Sequence, residues 1–181
     1  PQWPEQFSQE ANHIRSALGV NCVTLHHIGS TSVPGLAAKP TIDMVGVVKD
    51  ILKVDADALE KLGYINRGEM GMLFRRFFIK GESQRTHHLH IWEEGNPEIE
   101  KHLIFRNYLI KHPSEAKRYE NLKLSLAEVY SNDRSSYTFS KEDLIRELYQ
   151  KAGFQGLTML QALTDREWEA VKTLRQKYFF E

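Results

Sequence analysis

Residues 29–32, Gly-Ser-Thr-Ser, combine a permissive backbone position with three hydroxyl side chains. Gly29 lets the chain bend sharply and lets a ligand approach the backbone, because glycine has no side chain. The hydroxyls of Ser30, Thr31 and Ser32, together with the amides that follow, can surround a phosphate. This turn is therefore predicted to bind the phosphate of a nucleotide or of another phosphorylated small molecule.

Asp43 lies in an otherwise apolar segment, between Ile42 and the pair Met44 and Val45. A carboxylate in such a strand is costly to bury without a cation or hydrogen-bond donors. One interpretation is that Asp43 holds a divalent metal that bridges the phosphates. The alternative is a carboxylate at a strand end that is solvated or caps a nearby turn.

His88 and His90 are two positions apart, so on a strand their side chains would project from one face while His87 projects from the other. One aspartate and two histidines suit a transition metal, whereas magnesium prefers oxygen ligands. The predicted metal site therefore consists of Asp43, His88 and His90. Its cofactor is a divalent metal, magnesium or manganese, with zinc as an alternative. The same residues are candidate catalytic groups, since imidazole can act as a general acid or base near neutral pH; structural histidines are the other interpretation.

Three cationic side chains are candidate phosphate ligands. Arg75 and Arg76 are adjacent in an apolar segment, so each face of a strand there would carry one of them. A guanidinium group can bind phosphate with two parallel hydrogen bonds, although a salt bridge to a nearby glutamate would explain either arginine equally well. Lys39 lies between the hydroxyl turn and Asp43, where its ammonium group would be close to a bound phosphate unless it is an ordinary solvated lysine.

Hydrophobic periodicity and turn signals predict the elements that position these residues. The pattern predicts a mixed sheet followed by a helical layer in the carboxyl half of the chain. The predicted strands are 22–28, 41–48, 64–67, 72–80 and 86–92, and the predicted helices are 4–18, 34–38, 55–62, 97–111, 114–130 and 141–151.

The segment GSTSVPGLAAKPTID resembles the signature of the GrpB-like family of the nucleotidyltransferase fold superfamily, and the similarity continues through RRFF, THHLH and FRNYL over roughly residues 3–152. The resemblance implies an α+β fold: a nucleotidyltransferase-like mixed sheet with flanking helices and a C-terminal helical layer. It also implies that the strand of His88 lies beside Asp43, and that Arg106, Tyr119 and Lys123 could line the helical wall of the cleft, although packing would account for these three as well.

Nucleotidyl transfer to an unknown acceptor is the reaction that this resemblance implies. Nucleotidyltransferases generally carry a second metal-binding carboxylate two positions after the first, but Val45 occupies that position here. A single carboxylate is a poor ligand set for magnesium. Two alternatives therefore stay open: a non-catalytic module that binds a nucleotide or phosphorylated metabolite, and a phosphoester hydrolase that uses a metal held by aspartate and histidine.

Length and composition limit the class of protein. The 181 residues suit one domain over 1–152 with a C-terminal helical extension over 153–181 that packs on it or forms an oligomer interface. Basic and acidic residues both number 24, so no overall field attracts the chain to nucleic acid or to a membrane, and neither is an expected partner. The single cysteine, and the lack of a membrane-length apolar run or a signal-like start, favour a cytoplasmic location.

Overall fold

The structure, a computed structural model, describes residues 2–81, 84–130 and 133–155. Six α-helices and five strands lie within these ranges. The predicted helix beyond Gly153 lies outside the described residues. In chain order the elements are α1 (Trp3–Leu18), β1 (Cys22–Ile28), β2 (Ile42–Val48), α2 (Ala56–Lys61), β3 (Tyr64–Asn66), β4 (Arg76–Lys80), β5 (His87–Glu93), α3 (Pro97–Lys111), α4 (Pro113–Val129), α5 (Arg134–Phe139) and α6 (Glu142–Lys151).

Local signals account for the ends of the first and third helices. α1 ends at Gly19, whose φ of 55° is a conformation that glycine adopts without strain. α3 begins after Asn96, whose side chain accepts a hydrogen bond from the amide of Glu98 at 3.0 Å. Both helices lie where the sequence predicts them. None of the described helices is both long enough and apolar enough to cross a membrane.

The five strands form one mixed sheet in the order β1-β2-β5-β4-β3. β2 and β5 are parallel, and the other neighbouring pairs are antiparallel. In this register Asp43 is opposite Ile28 on one side and His88 on the other. The end of β1 and the starts of β2 and β5 therefore meet at one edge of the sheet, which confirms that the histidine strand lies beside Asp43.

Helices cover both faces of the sheet. α1 and α2 bury a core on one face, in which Ile14, Met44 and Phe78 are fully enclosed. On the other face, Val45 and Trp92 are fully buried beneath α3. α3, α4 and α6 enclose a further apolar cluster that also contains Val33 and Leu36 of the segment between β1 and β2. This arrangement confirms the predicted α+β class with a helical layer.

Two predicted elements differ from the structure. The helical turn lies at Ser30–Ser32, directly after Gly29, and not over 34–38. The strand predicted over 72–80 begins only at Arg76. The preceding loop is closed by side-chain contacts to its own backbone: the Glu69 carboxylate accepts from the amide of Phe74 at 2.6 Å, and the Arg75 side chain donates to the carbonyl of Glu69 at 3.1 Å. These bonds occupy backbone groups that a longer strand would need for its ladder.

Candidate functional site

The turn after β1 packs directly on the carboxylate of β2. Gly29 has φ 69° and ψ −171°, and a Cβ atom at this position would lie 2.5 Å from Oδ2 of Asp43. Any larger residue would therefore collide with the carboxylate. Glycine is required here both by the backbone conformation and by this close approach.

The three hydroxyls of the turn have different roles. Thr31 is buried, and its Oγ1 donates to the carbonyl of Thr41 at 3.3 Å while lying 2.9 Å from Nε2 of His27. Burial lowers the pKa of His27 to about 4, so its neutral ring can donate to Thr31. Ser32 Oγ donates to the carbonyl of Gly29 at 2.6 Å. Ser30, by contrast, accepts from a lysine of the helical layer.

Asp43 and His88 form a hydrogen-bonded pair. Nδ1 of His88 lies 2.8 Å from Oδ1 of Asp43, and Nε2 of His88 is buried without a hydrogen-bond partner in the described part of the chain. Oδ2 of Asp43 faces Gly29. Both carboxylate oxygens are thus already in contact with protein groups.

His90 does not join this pair. It is opposite Val45 in the register, two residues further along the strand than His88, where α3 covers the sheet. Its ring lies between the rings of Phe77, Trp92 and His102, at centroid distances of 4.7, 5.6 and 5.7 Å. The described residues contain no group of three or more His, Cys, Asp or Glu side chains that could hold a metal.

The two candidate arginines also lie away from the turn. Arg75 is 7% exposed, and its guanidinium donates to the carbonyl of Met70 at 2.9 Å and lies 3.3 Å from Nδ1 of His90. Arg76 is opposite Ile91 and so points to the other face of the sheet. Arg75 therefore organises the loop before β4, and the sequence did not reveal that role.

A cavity of about 860 Å³ opens between the sheet edge and the helical layer. Its wall includes Gly29, Ser30, Thr31 and His88. It does not include Ser32, His90, Arg75 or Arg76. Among the residues that the structure describes, five cationic side chains and one carboxylate line it: Lys39, Arg85, Arg106, Lys123, Lys141 and Asp43. The wall therefore has a strong excess of positive charge, although the whole chain is formally neutral.

Lys123 of α4 connects the helical wall to the turn. Its Nζ donates to Oγ of Ser30 at 2.9 Å and to the carbonyl of Ala37 at 2.7 Å. Burial, followed by repulsion from Lys141, lowers the pKa of Lys123 to about 8. Arg106 of α3 supports the same region by donating to the carbonyl of His27 at 2.9 Å.

Aromatic rings form the helical part of the cavity wall. Tyr119 and Tyr137 both line it, and a lysine ammonium group lies above each ring: Lys123 at 5.1 Å from the centroid of Tyr119, and Lys141 at 4.2 Å from that of Tyr137. The contributions of Arg85, Tyr137 and Lys141 were not predicted. No local pattern marks these residues, because the tertiary packing brings them to the cavity.

The donor set does not fit a resident divalent metal. Magnesium and calcium require about six or more hard oxygen ligands. Here the described residues supply one carboxylate, Asp43, whose Oδ1 is bound by His88 and whose Oδ2 is against Gly29. Val45, in the place of a second carboxylate, is fully buried. Asp43 and His88 alone are too few ligands to hold a metal ion in the absence of phosphate oxygens from a ligand.

The fold and cavity define an α+β protein with a cationic pocket at the edge of a mixed sheet. The model of a family described as "GrpB protein" matches residues 1–151, and the chain belongs to this family. This result confirms the resemblance carried by the signature segment.

Two proteins and one solved structure illustrate the similarity. The chain is 41% identical over 153 residues to the UPF0157 protein YqkA of Bacillus subtilis (strain 168), covering 83% of this chain and 45% of that protein. It is 37% identical over 159 residues to the UPF0157 protein PA4798 of Pseudomonas aeruginosa, covering 84% and 64%. The chain therefore spans less than two thirds of either relative. The crystal structure of the conserved protein GrpB from Enterococcus faecalis matches with 42% identity and a TM-score of 0.80, over 84% of this chain and 93% of that one.

Proposed function

We propose that the cavity binds a phosphorylated small molecule, such as a nucleotide, through its phosphates. The observation that supports this proposal is the charge of the wall, where five cationic side chains accompany one carboxylate among the described residues. In a partly enclosed site such an excess attracts anions strongly, because the low-dielectric walls concentrate the field. Because the chain as a whole is formally neutral, this excess of positive charge belongs to the pocket and does not reflect a generally basic protein.

The serine turn and the two lysines that flank it supply the phosphate contacts in this proposal. Ser30 lines the cavity, and Lys123 is already bonded to its hydroxyl at 2.9 Å. An ammonium group has three N–H donors, so one hydrogen bond from Lys123 can go to a phosphate oxygen in addition to those to Ser30 and Ala37. Lys39 is exposed at the segment that leads to Asp43, where it can approach the same phosphate.

The size of the cavity and its aromatic wall suit the rest of such a ligand. Small-molecule pockets are commonly about 300–1,000 Å³, and this one, at about 860 Å³, lies within that range. Phe105, Tyr119, Tyr130 and Tyr137 give the helical wall apolar and hydroxyl-bearing surfaces. Such a wall can contact a base or a sugar while the cations hold the phosphates.

The proposal covers binding only. Nucleotidyl transfer on the pattern implied by the family resemblance uses a larger carboxylate set than Asp43. A metallohydrolase would need His90 as a metal ligand, and His90 is enclosed by aromatic rings and lies outside the cavity wall. The binding module is therefore the function that these contacts support best.

Calorimetric titration with pyrophosphate, ATP and adenosine, in buffer containing Mg²⁺, tests this proposal. Pyrophosphate and ATP should bind, and adenosine should bind far more weakly because it has no phosphate. The Lys39→Met, Lys123→Met double variant should lose about 100- to 10,000-fold in affinity for pyrophosphate, since each charge-assisted hydrogen bond contributes about 1.5–3 kcal/mol and two are removed.

Lys111→Met is the matched control, because Lys111 is exposed at the end of α3 and does not line the cavity. It should bind as the wild type does. The proposal is wrong if neither phosphate compound binds to the wild-type protein, or if the double variant and the control bind pyrophosphate equally well.

A further inference from the structure

Lys123 holds a fixed position in the middle of the phosphate-binding region. It donates two hydrogen bonds, one to Oγ of Ser30 in the turn and one to the carbonyl of Ala37 in the segment between the turn and β2. The carboxylate of Glu120, one turn earlier on α4, accepts from the amide of Ala37 at 2.8 Å. α4 thus binds both backbone groups of Ala37, and these contacts together with the bond to Ser30 fix the position of the ammonium group.

The ammonium group of Lys123 also interacts electrostatically with the carboxylate of Asp43. Asp43 and Lys123 both line the cavity and lie within electrostatic range of each other. Asp43 remains hydrogen-bonded to His88 at 2.8 Å. The positive charge that would neutralise a phosphate beside Asp43 is therefore already present as a side chain.

We propose that Lys123 takes the place of a divalent cation in this site, so that a phosphorylated ligand binds without metal. This inference rests on the proposed function. It follows from two observations: the site has a single carboxylate, which by itself cannot complete a metal shell, and an ammonium group is held in a fixed position on the serine of the turn. The chemistry recognised is that of a phosphate ester or anhydride in its metal-free form.

The two interpretations of Asp43 predict opposite results. If Asp43 were a metal ligand, its neutral amide replacement would abolish binding. If Lys123 supplies the cation, Asp43 is only a negative charge near an anionic ligand, and Asp43→Asn should bind the ligand as tightly or about two- to fivefold more tightly. An asparagine side chain keeps the size of the aspartate and can still accept a hydrogen bond from His88.

Calorimetry with pyrophosphate in buffer containing EDTA provides the test. We expect the wild-type protein to bind under this condition, Asp43→Asn to retain or exceed that affinity, and Lys123→Met to lose about 10- to 100-fold. Lys123→Arg, which keeps the charge but alters the geometry, should retain part of the affinity. Thermal melting of each variant without ligand checks that it is folded. Mn²⁺ titrated alone into the wild-type protein should show no stoichiometric binding.

The outcomes separate the two proposals. Binding that requires Mg²⁺ or Mn²⁺, or that is lost in a folded Asp43→Asn variant, overturns the role of Lys123 but leaves the pocket as a phosphate site. Equal affinity of wild type and folded Lys123→Met in EDTA also overturns it. Absence of pyrophosphate binding both with and without metal overturns the proposed function, and this inference with it.

Discussion

Replacing Gly29 by alanine should strongly destabilise the protein, for two separable reasons. The backbone at φ 69° and ψ −171° is a conformation that is essentially restricted to glycine, at a cost of about 1–3 kcal/mol for another residue. The added Cβ atom would also lie 2.5, 2.9 and 3.0 Å from Oδ2, Cβ and Cγ of Asp43. Overpacking of this kind costs about 1–3 kcal/mol more. The total loss of unfolding free energy should be about 2–6 kcal/mol.

Gly19 provides a matched control for the backbone part of this cost. It also has a positive φ, 55°, but a Cβ atom there would have nothing within 4 Å. Its ψ of −137° lies outside the left-handed helical region, so Gly19→Ala should cost only the conformational part, about 1–3 kcal/mol. Asp43→Gly in the Gly29→Ala background should recover the overpacking part, giving a coupling free energy of about 1–3 kcal/mol in a double-mutant cycle.

Urea denaturation of the four proteins of the cycle, and of Gly19→Ala, measures these differences. For a chain of this size, 1 kcal/mol corresponds to about 2–4 °C in Tm, so thermal melting should show the same ranking. If Gly29→Ala costs no more than Gly19→Ala, or if Asp43→Gly gives no coupling, the turn does not pack on the carboxylate as described.

Three further predictions concern charged groups. Only protonated Lys123 attracts a phosphate, and its pKa in the free protein is about 8. The affinity for ATP should therefore fall by up to about tenfold per pH unit above pH 8, and calorimetry should no longer detect this fall in Lys123→Met. Burial lowers the pKa of His102 to about 4, so His102 takes up a proton on unfolding below pH 6.5. His102 should therefore contribute about 2–3 kcal/mol to the fall in stability between pH 6.5 and 4, and His102→Gln should reduce that slope by this amount in urea titrations. Lys80 donates to the buried carboxylate of Glu10 at 2.8 Å, so Lys80→Met should lower the unfolding free energy by about 1–3 kcal/mol. The double variant Lys80→Met, Glu10→Gln should lose less than the sum of the two single variants; additive losses would show that the two groups do not interact.

The sequence determined the elements whose signals are local. The boundaries of β1 and α3 agree with prediction because an apolar run that contains β-branched residues, and a cap followed by proline, act over a few neighbouring positions. The pairing of the turn with Asp43 was also predictable, because Gly29 and Asp43 belong to one signature segment. The loop before β4 was not, since its shape depends on bonds between Arg75 and backbone carbonyls that periodicity does not show.

The tertiary structure decided which of the candidate residues share a site. His88 and His90 have the same spacing signal, and alternation places both on one face of β5, yet only His88 lines the cavity because α3 covers the strand at His90. Lys123 reaches Ser30 from 93 positions further along the chain, and Lys141 joins it from the position just before α6. Periodicity specifies the direction in which a side chain points. It does not specify what lies above that side chain, because this depends on the packing of helices that are distant in the sequence.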